Sequence, residues 1–343
     1  MKSIRKYCMI TIFVLLVWGL VGVPGAVGTV IAPEATKVGT AKKIKKTKKT
    51  TKKKQAIKSA KKAKPTPAAK TSSLQKRHRT VKSPAPPPQK LVLHSAFALV
   101  EDQRTGELLV QKNPQAVVPI ASITKLMTAM VTLDAQLDLK EAIVIQKEDI
   151  DTLRHSHSRL PVGTRLTRQE ALLLALMASE NRAAHALGRT YPGGQNAFVA
   201  AMNAKAKVLG LNATRFTEPT GLSGGNISSA QDLARMANAA YNYPLIREFS
   251  TCEEAVIQTG RRTLAFHNTN RLVRSPRWQI GLSKTGFIDE AGRCLVMQAE
   301  VAHRPVLIIL LDAQGRMTRF GDANRIKQWI EQGPSASRTV REG

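Results

Sequence analysis

The chain has 343 residues, room for one large domain or two small ones, and carries 53 Lys and Arg against 24 Asp and Glu, a formal net charge of +29. Twenty of those bases fall between residues 29 and 90, against one acid, Glu34. The high pI therefore describes a tail and leaves the folding body only mildly basic.

The first residues read as an export signal. Lys2, Arg5 and Lys6 are followed by an uncharged apolar run from Cys8 to Val23, and Ala26-Val27-Gly28 is a small-residue cleavage site. The expectation is a signal over 1–28 and a body in the periplasm or cell envelope, tethered to the membrane if the signal stays uncleaved. Export makes cytoplasmic nucleic acid an unexpected partner. Residues 29–90 are Lys, Ala, Thr and Pro with almost no large apolar side chains, so they cannot bury enough surface to offset ordering entropy. They are expected to form an extended, disordered linker, either a solvated spacer or an adhesive for anionic wall polymers or lipid head groups.

The catalytic domain is expected over 91–335. Ser95 to Glu101 reads as a strand, Gln103 to Gly106 as a turn, and Glu107 to Lys112 as the hairpin partner. Ile123, Leu126, Met127, Met130 and Val131 recur at helical spacing, which puts Ser122 at a helix N-terminus. Thr167-Arg168-Gln169-Glu170 is a capping box for an apolar helix running to Met177. Ser179-Glu180-Asn181 falls at the joint with the next helix, and Ser229 opens another, running through Ala240. Trp278–Lys284, Cys294–Ala302 and Val306–Leu311 read as strands, with turns at 289–292 and 303–305, and a last helix spans roughly Met317 to Ile330. Two strands open the domain, helices intervene and three strands close it. This order predicts an α+β fold with a five-stranded, mostly antiparallel sheet, flanking helices and an inserted helical subdomain. Residues 336–343 are expected as a disordered tail.

Three short motifs carry chemistry. On a helix, Ser122 and Lys125 at i and i+3 share a face, so the amine can reach the hydroxyl. To act as a base the amine must be deprotonated, which burial or a nearby cation such as Lys284 promotes. Ser179 and Asn181, two apart in a turn, can both point into one cleft. Lys284-Thr285-Gly286 follows an apolar strand, where Gly286 lets a ligand backbone lie close. Each motif alone has a plainer reading: Ser122 as a helix cap, Ser179 and Asn181 as caps, and Lys284 as an exposed strand end. Their joint order favours one site.

In that order and context the chain resembles the active-site serine penicillin-binding proteins, whose motifs are Ser-x-x-Lys, Ser-x-Asn and Lys-Thr-Gly. It is most similar to the low-molecular-weight D-alanyl-D-alanine peptidases, the endopeptidase branch in particular. Supporting stretches are 120–128, 176–184, Glu218-Pro219-Thr220-Gly221-Leu222, 268–272 and 282–287. The resemblance implies a β-lactamase/transpeptidase-like fold and an acyl-enzyme on Ser122, with Lys125 as its base and Ser179 in proton relay. It implies that Asn181 positions substrate, that Lys284 and Thr285 meet its terminal carboxylate with Gly286 beside them in the substrate site, and that the backbone N–H groups of Ser122 and Phe287 hold the oxyanion. The implied partners are peptidoglycan peptides and, as acylating inhibitors, β-lactams. No cofactor is expected.

The competing readings are a D,D-carboxypeptidase, a serine β-lactamase using Glu218, a non-catalytic penicillin sensor, and a nucleic-acid binder acting through the tail. Little room follows the last helix for an extra β-rich domain or a C-terminal anchor, which favours the endopeptidase branch. His155 and His157 flank Ser156 in a polar loop without a third metal ligand, and are expected to be solvated. Cys252 and Cys294 are either a disulfide or two thiols.

Overall fold

The computed structural model describes residues 91–259, 262–333 and 340–341. The expected signal, the Lys-rich linker and most of the expected C-terminal tail lie outside the described residues. In chain order the elements are Ser95–Asp102 (β1), Leu108–Lys112 (β2), Val118–Pro119 (β3) and a 3-10 turn at Ala121–Thr124 that runs into Lys125–Asp134 (α1). Ala142–Val144 (β4) and Arg165–Thr167 (β5) lead to helices Arg168–Met177 (α2), Asn181–Arg189 (α3) and Gly194–Val208 (α4). Then come Ile227–Ser228 (β6), Ala230–Tyr241 (α5), Pro244–Thr251 (α6) and the hairpin Glu254–Thr259 (β7) with Arg262–His267 (β8). Gln279–Ile288 (β9), Gly292–Val301 (β10), Arg304–Ala313 (β11), Thr318–Gln332 (α7) and Val340–Arg341 (β12) complete the chain.

The main sheet has the order β12-β2-β1-β11-β10-β9. Its five long strands pair antiparallel, as expected from the sequence. The two-residue β12 adds in parallel to β2, so the stretch expected to be wholly disordered contains one short strand. Both faces of the sheet are covered, and the sequence of β11 shows why. Leu307, Ile309 and Leu311 enter the core shared with α1 to α6, while Val306, Ile308 and Leu310 enter a second core under α7. Period-2 alternation then gives an unbroken apolar run, and each fully buried Leu or Ile contributes about 1.5–3 kcal/mol.

Local signals account for the helices around the cleft. Thr167 and Glu170 form the reciprocal capping box of α2. Ser229 accepts from the Asp232 N–H at the start of α5. Elements not legible in the sequence include α4, α6, the β7–β8 hairpin and the two- and three-residue strands β3 to β6. Their strands and helices are short or weakly periodic and take their shape from packing on the central helices.

Three expectations need adjusting. The Lys284 motif lies inside β9 rather than after a strand, because β10 continues pairing through Phe287 and Ile288. The β10–β11 turn falls at Ala302 and His303, both in the left-handed region, and Arg304 and Pro305 already belong to β11. Ser122 lies within the 3-10 turn before α1, not at a side-chain cap. Cys252 and Cys294 are buried as separate thiols. Burial pushes the Cys294 thiol up to about 11. Among the described residues no helix is long and apolar enough to cross a membrane.

Candidate active site

The seam between the central helices and β9 collects the three motifs. Ser122 sits just after Ala121, whose φ of 48° is left-handed. Such a conformation in a residue with a side chain costs on the order of 1–3 kcal/mol and persists only where neighbours enforce it. The neighbour is Gly221, whose own φ is 81°; a Cβ there would lie 2.0 Å from the Ala121 carbonyl oxygen. Only glycine permits that approach.

The turn carrying Gly221 is held by Glu218. Its carboxylate accepts from the Thr220 N–H (2.6 Å), the Thr220 hydroxyl (2.5 Å), the Gly221 N–H (2.6 Å) and Asn226 Nδ2 (2.9 Å). Thr128 on α1 donates to the Pro219 carbonyl at 2.6 Å, which locks the turn to the helix. Glu218 is thus committed to its own loop, not presented to a water as a β-lactamase base would be.

Lys125, fully buried, donates from Nζ to Ser122 Oγ (2.9 Å), Asn181 Oδ1 (2.8 Å) and the Thr220 carbonyl (2.6 Å). Burial brings its pKa down to about 8, with Glu218, Glu180 and Asp151 pulling the other way. Two of its three partners are acceptors only. When the amine is neutral, its two N–H bonds go to those acceptors and its lone pair is left for the Ser122 hydroxyl. The arrangement can therefore take a proton from Ser122 Oγ.

Ser179 follows the C-cap of α2 with a left-handed φ of 57°, which turns the chain sharply into α3. Its hydroxyl accepts from Lys284 Nζ at 2.9 Å, and the same ammonium donates to the Thr285 carbonyl at 2.9 Å. Lys284 is also buried, and its pKa falls well below the ordinary lysine value, through burial first and then through the charges of Lys125 and Arg319. Thr285 Oγ1 donates to Thr269 Oγ1 at 2.6 Å, and the Thr269 N–H reaches the Met177 carbonyl, two residues before Ser179. Gly286 lies against the serine loop: a Cβ on it would be 3.2 Å from the Ser122 nitrogen. Phe287, next along β9, is half exposed, with Arg293 stacked on its ring at 4.1 Å.

All eight residues singled out from the sequence, Ser122, Lys125, Ser179, Asn181, Lys284, Thr285, Gly286 and Phe287, thus lie along one seam. Sequence reasoning missed Arg319. It is buried at the start of α7 and donates to the Gly286 carbonyl at 3.0 Å, adding positive charge behind the Lys284 strand. Nothing in its local sequence distinguishes it from a surface helix arginine. Ser156 was also passed over, as part of a solvated loop, yet its hydroxyl accepts from Asn181 Nδ2 at 2.9 Å.

The sequence of this body and its sheet between helices are shared with known proteins. Residues 80–315 match the D-alanyl-D-alanine carboxypeptidase family. A D-alanyl-D-alanine endopeptidase of Pseudomonas aeruginosa is 48% identical over 274 residues, 76% of this chain and 88% of that one. A D-alanyl-D-alanine endopeptidase of Escherichia coli is 47% identical over 241 residues, 70% and 78% of the two chains. Among solved structures, the Streptomyces K15 DD-transpeptidase superposes with a TM-score of 0.66 at 28% identity, over 70% of this chain and 98% of its own. With the motifs, the sheet and the sequence agreeing, the chain belongs to the D-alanyl-D-alanine carboxypeptidase family and is a D-Ala-D-Ala peptidase of the penicillin-binding fold.

Proposed function

We propose that the protein is an exported D-alanyl-D-alanine endopeptidase that cuts peptidoglycan crosslinks through an acyl-enzyme on Ser122. The observation that carries the mechanism is the Lys125 amine, 2.9 Å from Ser122 Oγ and held by two acceptors that leave its lone pair for that hydroxyl. Ser122 Oγ attacks the D-alanine carbonyl as its proton passes to Lys125 Nζ. The oxyanion is held by the backbone N–H groups of Ser122 and Phe287; losing one such donor costs roughly 100- to 1000-fold in turnover. The C–N bond then breaks, and the leaving amine takes a proton relayed through Ser179, which Lys284 contacts. Water hydrolyses the ester and frees Ser122. Asn181 orients substrate and Lys125. Thr285, beside Gly286, binds the carboxylate next to the scissile bond, in the positive field of Lys284 and Arg319.

The endopeptidase assignment is supported by the two relatives near 48% identity that bear that name, whereas a carboxypeptidase relative of Bacillus subtilis is 32% identical. β-Lactams, as strained acyl donors, acylate the same serine. Export follows from the signal-like residues 1–28, and 29–90 act as a basic linker that adheres to anionic wall polymers or lipid head groups. Deleting 29–90 should spare peptidase activity and weaken polyanion binding.

Two measurements test the proposal. Fluorescent penicillin should label the protein covalently, and Ser122→Ala should abolish the label. A crosslinked dimeric muropeptide should be split into monomers faster than a pentapeptide monomer loses D-alanine; release of free D-alanine alone would reassign the enzyme as a carboxypeptidase.

A further inference from the structure

We propose that Ser156, in the polar 151–158 loop, is a positioning residue: it fixes which end of the Asn181 amide faces Lys125, and so keeps the lysine lone pair directed at Ser122. This inference rests on the acyl-enzyme reading above.

The Asn181 amide has an acceptor end and a donor end. In the structure Oδ1 faces Lys125 at 2.8 Å and Nδ2 faces Ser156 Oγ at 2.9 Å. Reversed, the amide would aim an N–H at Lys125. That N–H would repel the ammonium form, and in the neutral form it would occupy the lone pair needed by the Ser122 hydroxyl. Lys125 cannot enforce the productive orientation once it is neutral, because a neutral amine both donates and accepts. The orientation must come from the far end of the amide.

Ser156 supplies it because its own hydrogen bond has a fixed direction. Its N–H donates to Asp151 Oδ2 at 2.8 Å, which sets that carboxylate beside the Ser156 side chain. Burial alone would raise the Asp151 pKa, but Ser156 and the Leu153 and Arg154 N–H groups around the carboxylate hold it below the usual carboxylate range. An ionised carboxylate only accepts, so the Ser156 proton points at Asp151 and its lone pairs point at Asn181. Every link then runs one way: Lys125 donates to Asn181, Asn181 to Ser156, Ser156 to Asp151.

The loop is built to hold this turn. His155 has a left-handed φ of 51°, which swings Ser156 inward while His155 and His157 stay exposed. Arg154 pins the same loop from Nε to the Leu222 carbonyl at 2.5 Å, and from Nη2 to Glu290 at 2.7 Å.

The experiment measures the acylation rate and the dissociation constant of the preceding complex for a fluorescent penicillin, by stopped flow on the full chain. Ser156→Ala should slow acylation roughly 10-fold with the dissociation constant unchanged, the loss of one oriented hydrogen bond. Ser156→Thr, which keeps the hydroxyl, should restore the rate to within about 2-fold. In an Asn181→Ala background, Ser156→Ala should cost nothing further, since the amide it orients is gone. His157→Ala, an exposed neighbour, controls for general disturbance of the loop and should leave the rate unchanged. A wild-type rate in Ser156→Ala, or the same 10-fold loss with Asn181 already removed, would overturn the proposal. Covalent labelling that persists in Ser122→Ala would instead overturn the reading beneath it.

Discussion

The site contains two buried lysines, one from the helical side and one from the sheet, and their surroundings differ. Lys125 has three acceptors and the carboxylates of Glu218, Glu180 and Asp151 near enough to offset part of its burial, so its pKa settles at about 8. Lys284 has two acceptors, and the charges that act on it are cationic, Lys125 and Arg319, so nothing offsets its burial and its pKa falls well below the ordinary lysine value. The first lysine is balanced to lose and regain a proton near neutrality, as a general base must. The second lacks a compensating anion, which a substrate carboxylate would supply. One side chain type thus serves two roles, divided by the charges around it.

The division predicts different failures on mutation. Lys125→Met should lower the acylation rate by roughly 1000-fold, the scale of a lost general base, with little change in the preceding binding step. Lys284→Gln should act mainly on binding, weakening capture of a carboxylate-bearing penicillin by roughly 10- to 100-fold, the scale of a charge-assisted hydrogen bond. It should hardly affect the methyl ester of the same compound. If the two variants lose rate and binding alike and the ester separates neither, the division is wrong.

The pH dependence sharpens the same contrast. Below its pKa Lys125 is an ammonium and cannot accept the Ser122 proton. Acylation should therefore climb about tenfold per pH unit from the acid side and level off above about 8. Lys125→Met should flatten that limb, and Lys284→Gln, which leaves in place the burial and the carboxylates that set the Lys125 pKa, should keep it where it is. A limb centred near pH 6 in the wild type would argue against Lys125 as the base.

Much of this was legible in the sequence, for reasons that also mark the limits. Leu307 to Leu311 read as a strand because both faces of the sheet are buried, and Thr167 with Glu170 read as a helix start because the capping box is local. The pairing of Ser122 with Lys125 follows from helical spacing, which the 3-10 turn before α1 preserves. What escaped depends on contacts distant in sequence. Arg319 acquires its meaning from the carbonyl of Gly286, 33 residues away, and Ser156 from Asn181, 25 residues away. The left-handed backbone at Ala121, His155 and Ser179 was equally hidden, because non-glycine residues adopt it uncommonly and no local pattern marks these three.

The smallest effect tests how closely the sheet side must approach the serine. A methyl group on Gly286 would meet the Ile120 carbonyl oxygen at 3.0 Å, the Ala121 Cβ at 3.1 Å and the Ser122 nitrogen at 3.2 Å. These are backbone or short side-chain atoms that can yield only by a few tenths of an ångström, and Gly286 itself has no left-handed φ to violate. Gly286→Ala should therefore fold and melt near the wild-type temperature, while the Ser122 N–H is displaced slightly from where the oxyanion forms. Partial loss of that donor should slow acylation by roughly 5-fold, well short of the 100-fold or more that removing it would cost. Gly221→Ala gives the opposite pattern, because its methyl would lie 2.0 Å from the Ala121 carbonyl oxygen at a φ of 81°. There the loss should appear first in thermal stability, by about 3 kcal/mol or more. Thermal melts and acylation rates on both variants distinguish the two glycines; a Gly286→Ala enzyme with unaltered rate would mean that β9 sits further from the reacting carbonyl than the seam implies.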